Sequence, residues 1–481
     1  MGVQLRGRVF QDSKRTPPSP RTWARRIFGR ADLGDARRTR RLVDVVAGLA
    51  AKPMRRICSA FSKWKEIKGG YRLIENEAVT VEDLYAPSTQ AAVEAGRGQA
   101  TALAVSDTTS MNFTNHRATS GLGPISQQEV QGLLLHSTIL LRRDGVPLGL
   151  LRQESWVRDP KEYGKRHKRK QKELEEKESR RWVQTVEECS LSFDELEEEE
   201  RPLLIHVFDR EGDIHEVFQM VEDTGEGCVI RSSWNRKVDD PNGYLRETVM
   251  KAPVLGRRTI EVPRKQGERK RKARVEYRAC TLTLDPPNRR GENRRRLQVN
   301  VVAVTEIDPP QGIKNPVQWI LITTLPIDTL EEVLDVVRIY TLRWRIEEYH
   351  LILKSGCNAE RLQFETAARL RKMLALLAAI ALRLLALTHW ARIEPDLPCT
   401  ALLSEDEWRA LVTAIQERPP PKKARPPTLK QAILWVGKLG GHIGRKSDGM
   451  PGVRTLWRGW QDLQLLTVMY QTCVSHFSPT R

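Results

Sequence analysis

Tyr340, Arg343, Glu347 and Lys354 share one stretch, IYTLRWRIEEYHLILKSG, in a segment with neither Gly nor Pro from residue 330 to 355. If the segment is one helix, each residue turns by about 100°, and the last three fall at roughly 300°, 340° and 320° from Tyr340. A stripe about 60° wide then carries a phenol, a guanidinium, a carboxylate and an ammonium. Two further carboxylates stand at the ends of short apolar runs, Asp107 in TALAVSDTTS and Asp209 in RPLLIHVFDREGDIHE. Alone, each acid reads as a turn, a cap or an i,i+4 partner. Together the three are hard oxygen donors suited to Mg²⁺, which keeps most of its waters and completes its shell with substrate phosphates. Two such ions, with Mn²⁺ as a substitute, clamp the attacking and leaving oxygens of an in-line phosphoryl displacement. Arg343 and Lys354 would then hold the phosphodiester.

The elements that must position these groups can be read from patterning. Residues 102–107 read as a strand ending on Asp107. Residues 133–142 and 149–157 read as two more strands, joined through Asp144-Gly145, a strong hairpin signal. Residues 160–190 are charged and helical, and 192–200 form an acidic loop or helix end. A strand at 203–209, a helix at 214–222 and a strand at 228–232 follow. That order is α/β and of the ribonuclease-H-like kind, completed by a helix bearing Glu347. Asp209 and Glu347 lie far apart, and the interval alternates in segments such as RRTIEVP, ARVEYRACTLTL and RLQVNVVAVTEI. An antiparallel β insertion at about 234–326 is expected, with KQGERKRKARV and PPNRRGENRRR as basic hairpin tips.

Outside this core, residues 1–22 read as flexible and 22–78 as helical. A helix opens at Asp32 or Asp35, runs to Leu49, and is followed by another that Gly69-Gly70 breaks. After Trp390, ERPPPKKARPP is a linker or exposed loop. A helix then carries Trp457, Trp460, Leu463 and Leu466 along one face, which is either core or a protein contact. Three domains are expected: 1–80, 81–390 and 391–481.

Net charge is +19 with a pI near 9.8, and the excess is concentrated. Residues 1–80 hold 19 Lys/Arg against 7 Asp/Glu, and residues 257–296 hold 15 against 5. Two basic blocks point to a polyanion, most simply double-stranded DNA. Arg25, Arg26, Arg37, Arg38, Arg40 and Arg41 are the N-terminal candidates for phosphate contact, and Arg231 is one in the core. Membrane readings fail: the N-terminus lacks an apolar core for a signal peptide, and Arg383 interrupts MLALLAAIALRLLALTHW. The 7 cysteines show no CxxC pair or zinc spacing, which fits a reduced cytoplasmic protein.

With SDTTS around Asp107, FDREGDIH around Asp209 and Tyr-x2-Arg-x3-Glu-x6-Lys from Tyr340, the chain resembles a DDE transposase of the insertion-sequence-four family, of the Tn-five cut-and-paste type. LGDARRTRRLVDVVAGLA, PVQWILITTLP, YTLRWRIEEYH and KLGGHIGRKSDGMPG extend the likeness over nearly the whole chain. Two positions depart: Ser106 stands where close relatives carry a second acid, and Leu351 replaces a Lys one turn after Glu347. The resemblance implies a bacterial, nucleoid-associated enzyme with an N-terminal DNA-binding unit, a β insertion and a C-terminal dimerisation region. It implies binding of terminal inverted repeats, metal-dependent cleavage through a DNA hairpin, and joining of 3′ ends to a target by a homodimer. Asp107, Asp209 and Glu347 would be its metal ligands, with no small-molecule cofactor. Tyr340, Arg343 and Lys354 would position phosphates, and Trp319 would stack on a flipped base. Two other readings are a repressor with an inactive catalytic fold and a nuclease of the same fold without strand transfer. The intact acid triad argues against the first. The Tyr-Arg-Glu-Lys signature argues against the second.

Overall fold

Apolar and β-branched runs in the middle of the chain need strand partners, and in the computed structural model all of them pair into one ten-stranded sheet. The structure describes residues 20–53, 55–164, 176–241, 243–262, 271–287, 294–313, 315–445 and 449–477. Five helices come first: α1 (Pro20–Phe28), α2 (Ala36–Ala51), α3 (Ile57–Ala60), α4 (Trp64–Glu75) and α5 (Val81–Gly96). The middle contains β1 (Thr101–Asn112), β2 (Gly123–Pro124), β3 (Gln131–Arg142), β4 (Pro147–Trp156), α6 (Arg180–Leu191), β5 (Leu203–Phe208), α7 (His215–Thr224) and β6 (Gly227–Arg231). Next are α8 (Leu245–Lys251), β7 (Val254–Val262), β8 (Arg271–Leu284), β9 (Leu297–Glu306) and β10 (Gln318–Thr323). Helices α9 (Leu330–Leu342), α10 (Trp344–Leu351), α11 (Ala367–Ile393), α12 (Glu405–Gln416), α13 (Leu429–Leu439) and α14 (Val453–Phe477) follow.

The sheet runs β2-β3-β1-β5-β6-β10-β9-β8-β7, with β4 on β3. Strands β1, β5 and β6 are mutually parallel, while β4, β3 and β1 are antiparallel. This is the ribonuclease-H-like arrangement. The β insertion does not form a separate layer: β10 pairs antiparallel with β6 and carries β9, β8 and β7 outward as an extension of the same sheet. Unpaired strand edges are costly, and β6 offers one that β10 fills. The basic tips at 263–270 and 288–293 lie outside the described residues, as do residues 1–19. Residues 20–22, expected to be flexible, already belong to α1.

Two apolar layers sandwich the sheet. On one face, Leu103, Val105, Ile205 and Val207 share a core with α9, α10, α11 and the N-terminal helices. On the other, Phe208, Ile230 and Leu282 pack against Trp182, Phe218 and Val249 of α6, α7 and α8. Helix α11 is buried at Leu370, Leu374, Leu377 and Ala381, so its hydrophobicity is that of a core helix. Its Arg383 lies 5.2 Å from the Trp23 ring centre, a cation–π contact that ties α11 to α1. Among the described residues no helix is long and apolar enough to cross a membrane.

Three local expectations are corrected. Strand β1 does not end at Asp107. Its parallel pairing with β5 stops at Val105, but antiparallel pairing with β3 continues from Ser106 to Asn112, because Thr108, Thr109 and Ser110 still have a partner on that side. Gly69 and Gly70 lie inside α4 and do not break it. A Cβ on Gly69 would come within 2.5 Å of the Arg41 guanidinium, and one on Gly70 within 3.0 Å of Ile57, so these glycines permit close packing. The segment from 330 to 355 is two helices and a π turn. Thr329 and Glu332 cap α9, a tight i→i−3 bond from Arg343 to Tyr340 ends it, and Ile352–Gly356 forms the π segment. The constant 100° turn assumed for a single helix therefore fails at both junctions.

In α14 the aromatic stripe packs inward. Leu463 is fully buried, Trp460 and Leu466 pack on the same cluster, and Trp457 packs against the main core beside Gly356. Of the two readings of that stripe, packing favours core, with Trp457, Trp460 and Leu466 half-buried. The exposed apolar side of α14 is Leu465, Val468 and Met469. The Pro-rich loop is tied to α12, where Arg409 donates to the carbonyls of Pro421 (3.1 Å) and Lys422 (2.8 Å).

Helices α13 and α14 cross so closely that a Cβ on Gly459 would lie 1.6 Å from the Val436 carbonyl oxygen. Gly459→Ala should force them apart and cost about 1–3 kcal/mol, as overpacking does. Limited proteolysis should then release the segment after α11 at a lower temperature than in the parent; equal resistance would show that the crossing can relax.

Candidate active site

Asp107 sits where β1 loses its parallel neighbour, on the sheet face it shares with Leu103 and Val105 and beside Arg343, while Ser106 faces the opposite layer. Ser106 Oγ meets Thr138 Oγ1 at 2.8 Å in the core, which explains why a small hydroxyl and not a second acid is accommodated there. Next along the strand, Thr108 Oγ1 contacts His136 Nδ1 at 2.8 Å, and His136 Nε2 contacts Thr185 Oγ1 of α6 at 3.0 Å. This chain of contacts anchors β1 on both flanks of the acid. Asp209 follows β5 directly and caps the turn Arg210–Gly212, accepting the Glu211 backbone N–H at 2.8 Å. Since β1 and β5 are parallel neighbours, their two acids meet at the same end of the sheet.

Glu347 comes from α10, which is clamped from behind. Ile346, Tyr349 and His350 are buried, Tyr349 donates to Gln153 of β4 at 3.1 Å, and Glu348 receives Arg345 at 2.9 Å and meets His389 of α11 at 3.0 Å. The Arg343 guanidinium bridges the acids, 3.6 Å from Asp107 Oδ2 and in direct contact with Glu347 Oε1. Burial and the negative charge of Asp209 push the Asp107 carboxyl up to about 7, with Glu347 adding to the rise and Arg343 and the Thr108 N–H opposing it. Burial raises the Tyr340 phenol, while Arg343 and Arg231 lower it and Asp209 raises it further. Burial lowers the Lys354 ammonium, against the pull of Glu360 and Asp107. Trp319 on β10 packs edge-on to Tyr340 at 5.6 Å, and Arg231 of β6 donates to the Gln318 carbonyl at 3.2 Å. The structure thus brings Asp107, Asp209, Glu347, Tyr340, Arg343, Lys354, Trp319 and Arg231 to one place.

A divalent cation fits this donor set, though not as a closed cage. Among the described residues no three His, Cys, Asp or Glu side chains converge closely enough to hold an ion unaided. Mg²⁺-like ions need only one or two carboxylates besides water and phosphate oxygens, so closure is not required. The raised Asp107 carboxyl reflects burial first and the neighbouring charges of Asp209 and Glu347 second, and a bound cation would favour its ionised form against both.

The N-terminal arginines are elsewhere and unequal. Arg25, Arg26, Arg37 and Arg40 are exposed on α1 and α2; Arg38 donates to the Leu33 carbonyl at 2.9 Å, and Arg41 packs over Gly69. Arg25 and Arg40 line a cleft of about 700 Å³ between α1 and α2. Three residues escaped the sequence reading. Trp344, 59% exposed, adjoins Arg343 and could have been flagged as an aromatic between two arginines in LRWR. Asp213, fully buried, is bonded to Arg236, and its place in FDREGDIH was the available signal. Nothing local marked His136 as the prop of β1.

With divalent cations chelated, Asp107 should cost the folded state stability. Its folded value, about 7, exceeds the ordinary 3.8, so the penalty begins near the unfolded value, grows to pH 7 and is constant above, reaching about 4 kcal/mol. Asp107→Asn should therefore melt higher than the parent at pH 8, with the gap shrinking towards pH 5. A gap independent of pH would remove the repulsion argument.

Three family models match the chain. One described as transposase DNA-binding covers residues 20–79, one described as transposase DDE domain covers 148–384, and one described as transposase Tn5 dimerisation domain covers 379–477. The DDE match starts beyond Asp107 and includes Asp209 and Glu347. A DDE domain acts on DNA with divalent-metal dependence. From α1 to α14, the order of helical DNA-binding unit, sheet-based catalytic core and helical dimerisation unit is that of one group, and the chain belongs to the DDE transposases of the Tn5 type.

Proposed function

We propose that this transposase binds the terminal inverted repeats of its element, cleaves there, and joins the freed 3′ ends to target DNA, with Asp107, Asp209 and Glu347 as catalytic ligands of two Mg²⁺ ions. The observation that carries this reading is the arrival of three carboxylates, from β1, the end of β5 and α10, at one sheet end beneath Arg343 and Lys354. When bound, the ions supply Lewis acidity that activates the attacking hydroxyl and stabilises charge developing at phosphorus.

The chain's own side chains bind and orient. Lys354 and Arg343 neutralise phosphate oxygens, Arg343 by turning from its acid partners towards the DNA. Tyr340, held between Trp319 and Arg231, donates from its phenol to a backbone oxygen. A cleaved 3′ hydroxyl attacking the opposite strand makes a tight hairpin, and Trp319 supports a base flipped from it. The same orientation serves water, hairpin-forming hydroxyl and target attack, since each is an in-line displacement at phosphorus.

Residues 1–80 supply end recognition through Arg25, Arg26, Arg37 and Arg40, with Arg38 and Arg41 as partial contributors. Residues 81–390 form the catalytic unit, and 391–481 pair two protomers. The protein works in the cytoplasm, on the nucleoid. Support for pairing comes from Leu465, Val468 and Met469, exposed along one side of α14.

Asp107→Ala, Asp209→Ala and Glu347→Ala should each abolish cleavage of a duplex carrying the element's own ends while leaving binding within about threefold, since the N-terminal arginines are untouched. Metal-dependent nicking that survives in one variant would exclude that residue from the site. Met469→Lys should shift the DNA-bound complex from two protomers to one in sedimentation analysis, as a buried unpaired charge cannot be tolerated in an apolar contact. An unchanged complex would move the dimer contact off this face.

A further inference from the structure

Trp234 is an exposed aromatic on a loop that is held unusually firmly. Its indole is 67% exposed, whereas the Asp213 carboxylate beneath it is buried. That carboxylate accepts the backbone N–H groups of Ser233 at 2.6 Å and Trp234 at 3.0 Å, and two N–H groups of Arg236 at 3.0 and 2.6 Å. From above, Ser232 Oγ donates to the Trp234 carbonyl at 2.9 Å, and Arg246 donates to the Ser233 carbonyl at 3.3 Å and through its backbone to Asn235 Oδ1 at 2.9 Å. A large apolar side chain left in water gains nothing for the fold, yet the backbone beneath it is rigid. Such pre-organisation lowers the ordering cost of binding something flat.

Position narrows what that is. Asp213 follows Asp209 across the turn Arg210–Gly212, so the acid of the site and the prop of the loop belong to one short segment. On its other side, the loop joins β10 where Ser232 N–H donates to the Ile320 carbonyl at 2.8 Å, one residue from Trp319. Arg246, bonded to Ser233 and Asn235, and Lys237, three residues after Trp234, are exposed cations belonging to the same loop, and Arg210 is exposed on the turn that Asp209 caps. An exposed aromatic on a rigid loop that carries cations suits an unpaired nucleotide: the ring takes the base and the cations take the phosphates.

We propose that Trp234 is a nucleotide-stacking residue that holds an unpaired base of the bound DNA beside the scissile phosphodiester. It is separate from Trp319, whose ring is half-buried against Tyr340. Stacking of this kind accepts any base, so Trp234 contributes affinity and placement without sequence preference. The assignment rests on the reading that DNA crosses the sheet end bearing Asp107, Asp209 and Glu347.

The test uses the full chain and a duplex with frayed, unpaired end nucleotides, each replaced in turn by 2-aminopurine, whose fluorescence falls on stacking. The parent should quench at least one position. Trp234→Ala should abolish that quench and weaken binding about 5- to 100-fold, the range of one base–aromatic stack. Trp234→Phe should keep most of both, and Trp319→Ala should leave that quench in place. If Trp234→Ala quenches and binds as the parent does while Trp319→Ala loses a quench, the proposal fails and the placement of DNA stands. Absence of quenching at every position in the parent would overturn both. Equal DNA affinity with an altered oligomeric state would assign the indole to a protein contact and defeat the proposal.

Discussion

Mutual repulsion among Asp107, Asp209 and Glu347 is the constraint around which this protein is arranged. Three acids gathered at the end of a sheet cannot all be ionised and buried without cations nearby. Burial, joined by the charges of Asp209 and Glu347, raises the Asp107 carboxyl to about 7. Arg343 offsets part of it by touching two of the acids, and Lys354 and Arg231 add positive charge around the same opening. A divalent cation would relieve that repulsion, while Arg343, Lys354 and Arg231 supply the charge that suits phosphate oxygens.

Keeping the acids apart and in place requires rigid supports, and the fold supplies one for each. Strand β1 is braced through His136 to α6, Asp209 is locked by the turn that it caps, and α10 is held between β4 and α11 by Gln153 and His389. Extending the core sheet through β10 brings Trp319 and Arg231 to the same edge, so aromatic and cationic groups join the acids without a separate layer. The buried Asp213–Arg236 pair beneath the next loop belongs to this logic. Breaking such a pair strands a buried charge, which is costly, and the loop above it stays fixed for that reason.

Much of this was legible in the sequence. The Asp144-Gly145 hairpin, the Asp35 cap of α2, the strands around β5 and β6 and the antiparallel character of the insertion all followed from local chemistry. Only the stripe of Tyr340, Arg343, Glu347 and Lys354 and the two acids after apolar runs were local readings of the site; Trp319 came from the family resemblance. What misled were features whose meaning depends on a neighbour. Gly69 and Gly70 signal a helix break in isolation, but Arg41 and Ile57 pack against them inside α4. Asp107 suggests a strand end, but β3 continues beside it.

By itself, the sequence determined residue types, their spacing and their order: three acids, a Tyr-Arg-Glu-Lys run, two basic blocks, and periodicities that specify strands and helices. Those are local properties, set by side-chain chemistry and backbone geometry within a few residues. Tertiary structure alone decided which face of α14 is core and which is left exposed: Leu463 is buried and Trp457 half-buried because α12, α13 and the π turn meet them there. It also decided that Arg343 bridges two acids from different elements and that Asp213 holds an indole out in solvent. Each of these depends on contacts between residues far apart in the chain, whose pairing no local pattern encodes.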